Sequence, residues 1–150
     1  MKLQNLLSAT VQNNTEEPKR PVKLRLYAMK GLYLLTFLTL GHSAWTELIY
    51  PSEVWQPLDG VAYSFWAAYA TLMGLGIRYP IKLLPLLLLQ LFYKSVWLIA
   101  VAYPLWSANL LDPSESGLFR AFAIGVILDT LVIPWRYARE AYTKRLFKFK

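Results

Sequence analysis

Residues 81–106 read IKLLPLLLLQLFYKSVWLIAVAYPLW, a wall of apolar side chains with Lys94 set in its middle. An apolar run of more than about 18 residues has the length and composition of a helix that crosses a bilayer. Within lipid every backbone N–H and C=O must be paired inside the protein, so the run cannot be an exposed loop or an open strand. A cation near the centre of such a span is costly. It must find a partner, face protein or reach for an interface. One stretch therefore predicts both a membrane location and a buried polar contact.

The remainder of the chain points the same way. Of 150 residues, 56% are apolar and 15% aromatic, with six Trp and ten Tyr. That is too apolar for an ordinary soluble domain of this length, and the apolar residues arrive in blocks. The absence of Cys excludes disulfides, thiolate metal sites and thiol catalysis. One His cannot build a bis-histidine haem site or a His-rich metal site, so no metal and no cofactor is expected. The net charge of +7 would suit nucleic acid, but most of the basic residues flank apolar spans. They read instead as determinants of topology and as attraction to anionic lipid at the basic termini, with no nucleic-acid partner.

In chain order, residues 1–24 form a cytoplasmic segment. Leu3, Leu6, Leu7 and Val11 recur at roughly helical spacing, which suits a short helix on the membrane or a frayed tail. The few apolar residues available to bury favour the tail. The run is too short and too polar for a signal peptide. Residues 13–21 make a polar linker, in which Pro18 and Pro21 oppose a continuous helix.

A four-helix membrane domain follows over residues 25–137, with spans at about 26–48, 60–77, 81–104 and 117–135. Lys19, Arg20, Lys23 and Arg25 precede the first span, and Lys30 sits one turn inside it, able to snorkel back to the same side. The loop after it holds Glu47, Glu53 and Asp59 without Lys or Arg, and Tyr50 and Trp55 as interface anchors. The turn between spans two and three is minimal, Arg78-Tyr79-Pro80, with Lys82 just beyond. The second outer loop carries Asp112-Pro113-Ser114-Glu115, a helix-start signature with an acidic cap and proline at the first helical position. Arg136, Arg139, Lys144, Arg145, Lys148 and Lys150 then make residues 138–150 a basic amphipathic tail suited to the membrane surface. Basic residues thus lie before span one, between spans two and three, and after span four. The positive-inside rule puts both termini in the cytoplasm. The pattern Tyr50-Pro51 then Asp59 recurs as Tyr103-Pro104 then Asp112, which hints at a duplicated helical hairpin.

Polar residues inside the spans define the candidate site. With a rise of 1.5 Å per residue, Gln90 is about 14 Å deep, Lys94 about 20 Å and Asp129 about 10 Å. Gln90 and Lys94 are four apart and share one helix face, continued by Trp97. A bent lysine stem brings Lys94 within range of Asp129, with Gln90 alongside. Pro134 removes the amide that would have bonded the Thr130 carbonyl, so Thr130 joins Gln90, Lys94 and Asp129 as a predicted buried polar cluster. Two readings stand. A carboxylate beside a broken helix suits an ion or proton pathway. A Lys–Asp pair between helices equally serves to fix their register, and this structural use is the more common.

Small residues mark candidate packing rows: Gly60, Ser64 and Ala68, then Ala70 and Gly74 on span two, and Ala121 and Gly125 leading to Asp129 on span four. His42 and Arg120 are outer-side polar residues. His42 is set to bond a neighbouring helix or interfacial water, and Arg120 to snorkel outwards and pair with Glu115 or Asp112. His42 and Glu47, five apart, do not align as a catalytic couple. Trp66 and Trp97, away from the interfaces, suit an internal groove or core packing.

The segment GLGIRYPIKLLPLLLLQLFYKSVWLIAVAYPLW, with GVILDTLVIPWRY later, resembles a bacterial family of small four-span inner-membrane proteins of unknown function. The resemblance covers spans two to four. Size and layout are also similar to DoxX-type proteins, without a diagnostic motif of that family. It implies a multi-pass bacterial inner-membrane protein, and neither a reaction nor catalytic residues. The lack of Cys departs from membrane thiol oxidoreductases, and the lone His from four-span cytochromes.

The expected protein is therefore an all-α, integral membrane four-helix bundle with both ends inside. Its expected role is non-enzymatic: self-association as a homo-oligomer, or service as an accessory or assembly subunit of a membrane complex. The alternative is a proton- or ion-coupled small-solute carrier using Asp129, Lys94 and Gln90. A lipid-modifying enzyme ranks last, because no acid–base, nucleophile or metal set is recognisable.

Overall fold

The computed structural model describes residues 21–110 and 115–143, which are helical apart from short connections. Helix α1 spans Lys23–Ile49, α2 spans Pro57–Arg78, α3 spans Leu84–Ser107 and α4 spans Glu115–Val132. A short helix α5, Trp135–Ala138, leads into a π-helical turn at Arg139–Thr143. Residues 22–133 form one compact unit, and residues 134–143 belong to a second. The N-terminal segment 1–20, the Asp112-Pro113-Ser114 helix start and the tail 144–150 lie outside the described residues.

Prolines set most of the helix ends. Tyr50 precedes Pro51 and Tyr79 precedes Pro80, and both tyrosines leave the helical region at φ −129° and −125°. A following proline crowds the helical conformation of the residue before it. Each tyrosine N–H still closes the last turn, onto the Thr46 and Leu75 carbonyls. Pro57 opens α2 with Asp59 in its first turn, both favourable at a helix start. The run at residue 81 starts helical structure only at Leu84, because residues 81–83 form the turn that brings α3 back along α2. Helix α4 stops at Val132, two residues before Pro134, where residues 117–135 predict a continuous span.

Pro104 behaves differently, and this removes the analogy between the two Tyr-Pro pairs. Pro51 follows the end of α1, whereas Pro104 lies within α3. A proline inside a helix lacks the N–H donor and collides with the carbonyl four residues back. Here Leu98–Ala102 widen into a π-helical turn, and the Tyr103 N–H reaches the Leu98 carbonyl. The extra residue per turn lets the helix pass Pro104 and end three residues later. At that end Asn109 takes a left-handed φ of 53°. Its N–H bonds the Trp106 carbonyl, and the Leu110 N–H bonds the Leu105 carbonyl. This is the paired closure of a helix C-terminus that asparagine accommodates at a positive φ.

Helix α1 packs along α2, and α3 along α4, with narrower contacts between α1 and α4 and between α2 and α3. The α2 stripe turned inward is Ala67, Ala70, Met73 and Gly76, in steps of three. Ala70 and Gly74 lie against α1: a Cβ at Gly41 would meet Ala70 at 3.5 Å, and one at Gly74 would meet the Phe37 ring at 3.0 Å. Gly60, Ser64 and Ala68 do not share that face. Ser64 and Ala68 are exposed, and Gly60 neighbours only Trp55 of its own hairpin. Ala121 is likewise exposed although Gly125 and Asp129 are buried. A step of four advances about 40° beyond a full helical turn, so two steps carry a row about 80° around the helix.

Among the described residues two helices, α2 and α3, are long and apolar enough to cross a membrane, and a third qualifies if residues 117–142 are taken as one broken span. Helix α1 has the length, but Lys30 near its start and His42, Ser43, Thr46 and Glu47 near its end dilute its apolar character. The distribution of polarity is the reverse of a water-soluble fold. Phe92, Ile99 and Leu131 are 68%, 72% and 65% exposed, whereas Gln90 and Asp129 are fully enclosed. The hydroxyls of Thr39, Ser95 and Thr130 bond the carbonyl four residues earlier on their own helix. A hydroxyl that turns back on its own helix needs no water.

Candidate functional site

One polar cluster draws a side chain from each of the four long helices. On α1, Met29, Tyr33 and Thr36 follow one face inward, and Thr36 donates its hydroxyl to Gln90 Oε1 at 3.2 Å. On α2, Tyr69 is turned in beside Ala70, and its hydroxyl lies 3.0 Å from Gln90 Oε1 and 2.9 Å from the Leu86 carbonyl. A phenol has one proton, so these two acceptors share it. On α3, Gln90 Nε2 donates to both oxygens of Asp129, at 2.9 and 3.1 Å. One turn further on, Lys94 Nζ lies 3.8 Å from Asp129 Oδ2, and its side chain is 12% exposed.

Gln90 is the hub because a primary amide both donates and accepts, which lets it join two hydroxyls on one side to a carboxylate on the other. Among the described residues no buried side-chain polar atom lacks a hydrogen-bond partner. A closed network of this kind is stabilising only when each member is satisfied, because an orphaned polar group in an apolar surrounding costs more than a bond gains.

Aromatic rings line one side of the cluster. Tyr69, Tyr93, Phe122 and Trp97 follow each other edge to face, with centroid separations of 6.2, 5.7 and 4.9 Å. The Lys94 ammonium lies 6.0 Å from the centroid of Phe122. Trp97 therefore packs on α4, and Trp66 meets Tyr63 one turn back on its own helix. Gly125 leaves the room that Lys94 occupies: a Cβ there would lie 2.5 Å from Nζ and 3.2 Å from Cδ and Cε. Gly125→Ala is expected to cost about 1 kcal/mol, the low end of overpacking, because the end of the Lys94 side chain must shift to admit the methyl group. In a Lys94→Ala background the same change should stabilise the helix by up to about 1 kcal/mol. Equilibrium unfolding of the four proteins of that cycle measures the difference, and equal effects in both backgrounds would show that the glycine is not there for the lysine.

Sequence reasoning and geometry differ at several positions. Thr130 does not join the cluster. It is exposed and donates to the Val126 carbonyl, while the last turn before Pro134 closes with the Ile133 N–H on the Asp129 carbonyl. His42 is exposed on α1, and Arg120 is exposed on α4. The side chains of Asp112 and Glu115, named as partners of Arg120, lie outside the described residues. Thr36 and Tyr69 escaped the sequence reading. Thr36 and Thr39 sit in the same apolar run, LLTFLTL, and only the rotation of α1 distinguishes the one that faces Gln90. A tyrosine within an aromatic-rich span gives no signal of its own.

Among the described residues, no three His, Cys, Asp or Glu side chains come together as metal ligands. Compared with known protein families, with curated proteins and with solved structures, the chain shows no match.

Proposed function

We propose that this chain is a four-span integral protein of a bacterial inner membrane, with both termini in the cytoplasm. In this reading it acts non-enzymatically, by packing against copies of itself or against a larger membrane complex. The observation that carries the proposal is the closed network around Gln90, which ties α1, α2, α3 and α4 to one another beneath an apolar exterior. Helices locked in one register present fixed outer surfaces, which suits a scaffold better than a moving carrier. The exposed Ser64 and Ala68 on α2, with the half-buried Gly60 one turn before them, offer such a surface. The orientation is supported by Lys23, Arg25, Arg78 and Lys82 at one set of helix ends and by Glu53 and Asp59 at the other.

Because the chain has no Cys, single cysteines report topology without background. In intact cells a membrane-impermeant thiol reagent is expected to label Val54→Cys and Leu110→Cys, and to leave Val22→Cys and Lys82→Cys unlabelled. Labelling of the latter pair overturns the orientation. Native mass spectrometry of the tagged protein, drawn from its own membranes in mild detergent, tests the role. A homo-oligomer or a stoichiometric partner is expected, retained by Asp129→Asn.

A second reading rests on the 3.8 Å separation of Lys94 from Asp129 and the partial exposure of Lys94. That is a loose pair, open on the lysine side, as a proton- or ion-coupled carrier would need. A monomer with bound solute, whose uptake is lost in Asp129→Asn, would establish the carrier instead.

A further inference from the structure

The connection between α2 and α3 is held unusually firmly for a short turn. Tyr33 of α1 is fully buried and donates its hydroxyl to the Pro80 carbonyl at 3.1 Å. Its ring lies over Gly76, where a Cβ would collide with it. The backbone of the turn is thereby tied to a neighbouring helix before any ligand arrives.

Three donors stand on this turn. Arg78 Nε donates to the Tyr79 hydroxyl oxygen at 3.2 Å. The hydroxyl is an acceptor in that bond, so its own proton remains to be donated outward. The Arg78 guanidinium carbon lies 5.7 Å from the Tyr79 ring centroid, and Lys82 Nζ lies 5.5 Å from the same centroid. One exposed ring therefore gathers two cations. Among the described residues the carboxylates in ion pairs are Asp129, with Lys94, and Glu140, with Arg136, so neither Arg78 nor Lys82 has an acidic partner there. Two cations gathered around one phenol on a preorganised turn, without a counter-charge among the described residues, match the oxygens of a phosphate group.

We infer that Arg78, Tyr79 and Lys82 form a binding site for a phosphate group at the turn between α2 and α3. The turn joins two helices that are long and apolar enough to span a membrane. On the membrane reading above, the phosphate offered at that depth is the headgroup of an anionic phospholipid; free phosphate is the other source of the same chemistry. Arginine supplies the forked donor, lysine the point charge, and tyrosine a phenolic O–H.

The test uses the full chain in lipid nanodiscs containing phosphatidylglycerol and phosphatidylcholine, followed by native mass spectrometry of the retained lipids. A second arm adds inorganic phosphate at millimolar concentration. Retention of phosphatidylglycerol over phosphatidylcholine is expected to fall by about 30-fold in Arg78→Gln/Lys82→Gln, given the usual contribution of a surface cation. Tyr79→Phe keeps the ring and should lose a few-fold. Lys23→Gln/Arg25→Gln removes the same charge from α1, where the attraction to anionic lipid is general, and should lose only a few-fold. Competition by inorganic phosphate would show that the site takes the phosphate group itself. Lipid retention indifferent to phosphate, but lost in the double variant, would identify the headgroup. The inference is overturned if Arg78→Gln/Lys82→Gln retains phosphatidylglycerol like the unaltered chain, or if the α1 control loses as much. Either result in a protein that has entered the nanodisc leaves the membrane reading standing. Failure to enter the nanodisc sinks that reading, and the phosphate arm, run in detergent, then decides the site alone.

Discussion

Asp129→Ala is expected to be the most damaging single substitution in the chain, lowering stability by about 3–5 kcal/mol. The carboxylate is fully enclosed and accepts two hydrogen bonds from Gln90, and Lys94 lies against it. Its removal leaves an amide without its acceptors and a mostly buried ammonium without a counter-charge. For a chain of this length that corresponds to a fall in Tm on the order of 10 °C. Asp129→Asn should cost less, because one oxygen still accepts from Gln90 even though Lys94 loses its counter-charge. Lys94→Ala alone relieves the ammonium but leaves the carboxylate to Gln90. The double variant should then be more stable than the sum of the single losses predicts. Unfolding of all four proteins, followed by tryptophan fluorescence in a graded SDS–detergent mixture, measures the coupling. Additive losses would show that the 3.8 Å contact contributes nothing.

Gly76→Ala is the second. The Cβ would be driven into the ring of Tyr33, which cannot retreat because its hydroxyl is bonded to Pro80 and its surface is fully buried. Overpacking of this kind costs about 1–3 kcal/mol, at the upper end where the neighbour is held at both ends. The α1–α2 contact must open to admit the methyl group. Gly31→Ala is the matched control, since nothing lies within 4 Å of a Cβ at that position. It should be neutral, or more stable by up to about 1 kcal/mol from helix propensity alone. A Tyr33→Val background removes the obstacle, and there Gly76→Ala should lose most of its cost. Equal thermal shifts for Gly76→Ala and Gly31→Ala would mean that Tyr33 does not pack where its ring now lies.

Both predictions depend on features that the chain alone does not display. A row of small residues is visible in any sequence, yet Gly60-Ser64-Ala68 and Ala70-Gly74 look equivalent on paper. Only the second packs on α1, because the inward stripe of α2 runs in steps of three through Ala67, Ala70, Met73 and Gly76. Gly125 was legible as a close-packing position, but what it makes room for is a lysine stem rather than a helix backbone. The proline rules located the ends of α1 and α2 within a few residues. The same rules applied to Tyr103-Pro104 fail, because a π-helical turn absorbs that proline and the helix continues.

What the sequence determined by itself is therefore what short-range chemistry controls. Apolar runs too long for a soluble core predict helices, and prolines and turn residues mark most of their ends. An isolated lysine and an isolated aspartate in such runs require partners, because lipid provides none. The tertiary structure decided how each helix is rotated about its axis. That rotation selects Thr36 over Thr39, brings in Tyr69, leaves Thr130 bonded to its own helix, and makes Gln90 the centre of the network. Apolar side chains are exposed on several faces of these helices, among them Leu34, Leu72, Phe92 and Leu131, so hydrophobic pattern alone does not choose among rotations. Hydrogen bonds that no solvent can replace make the choice.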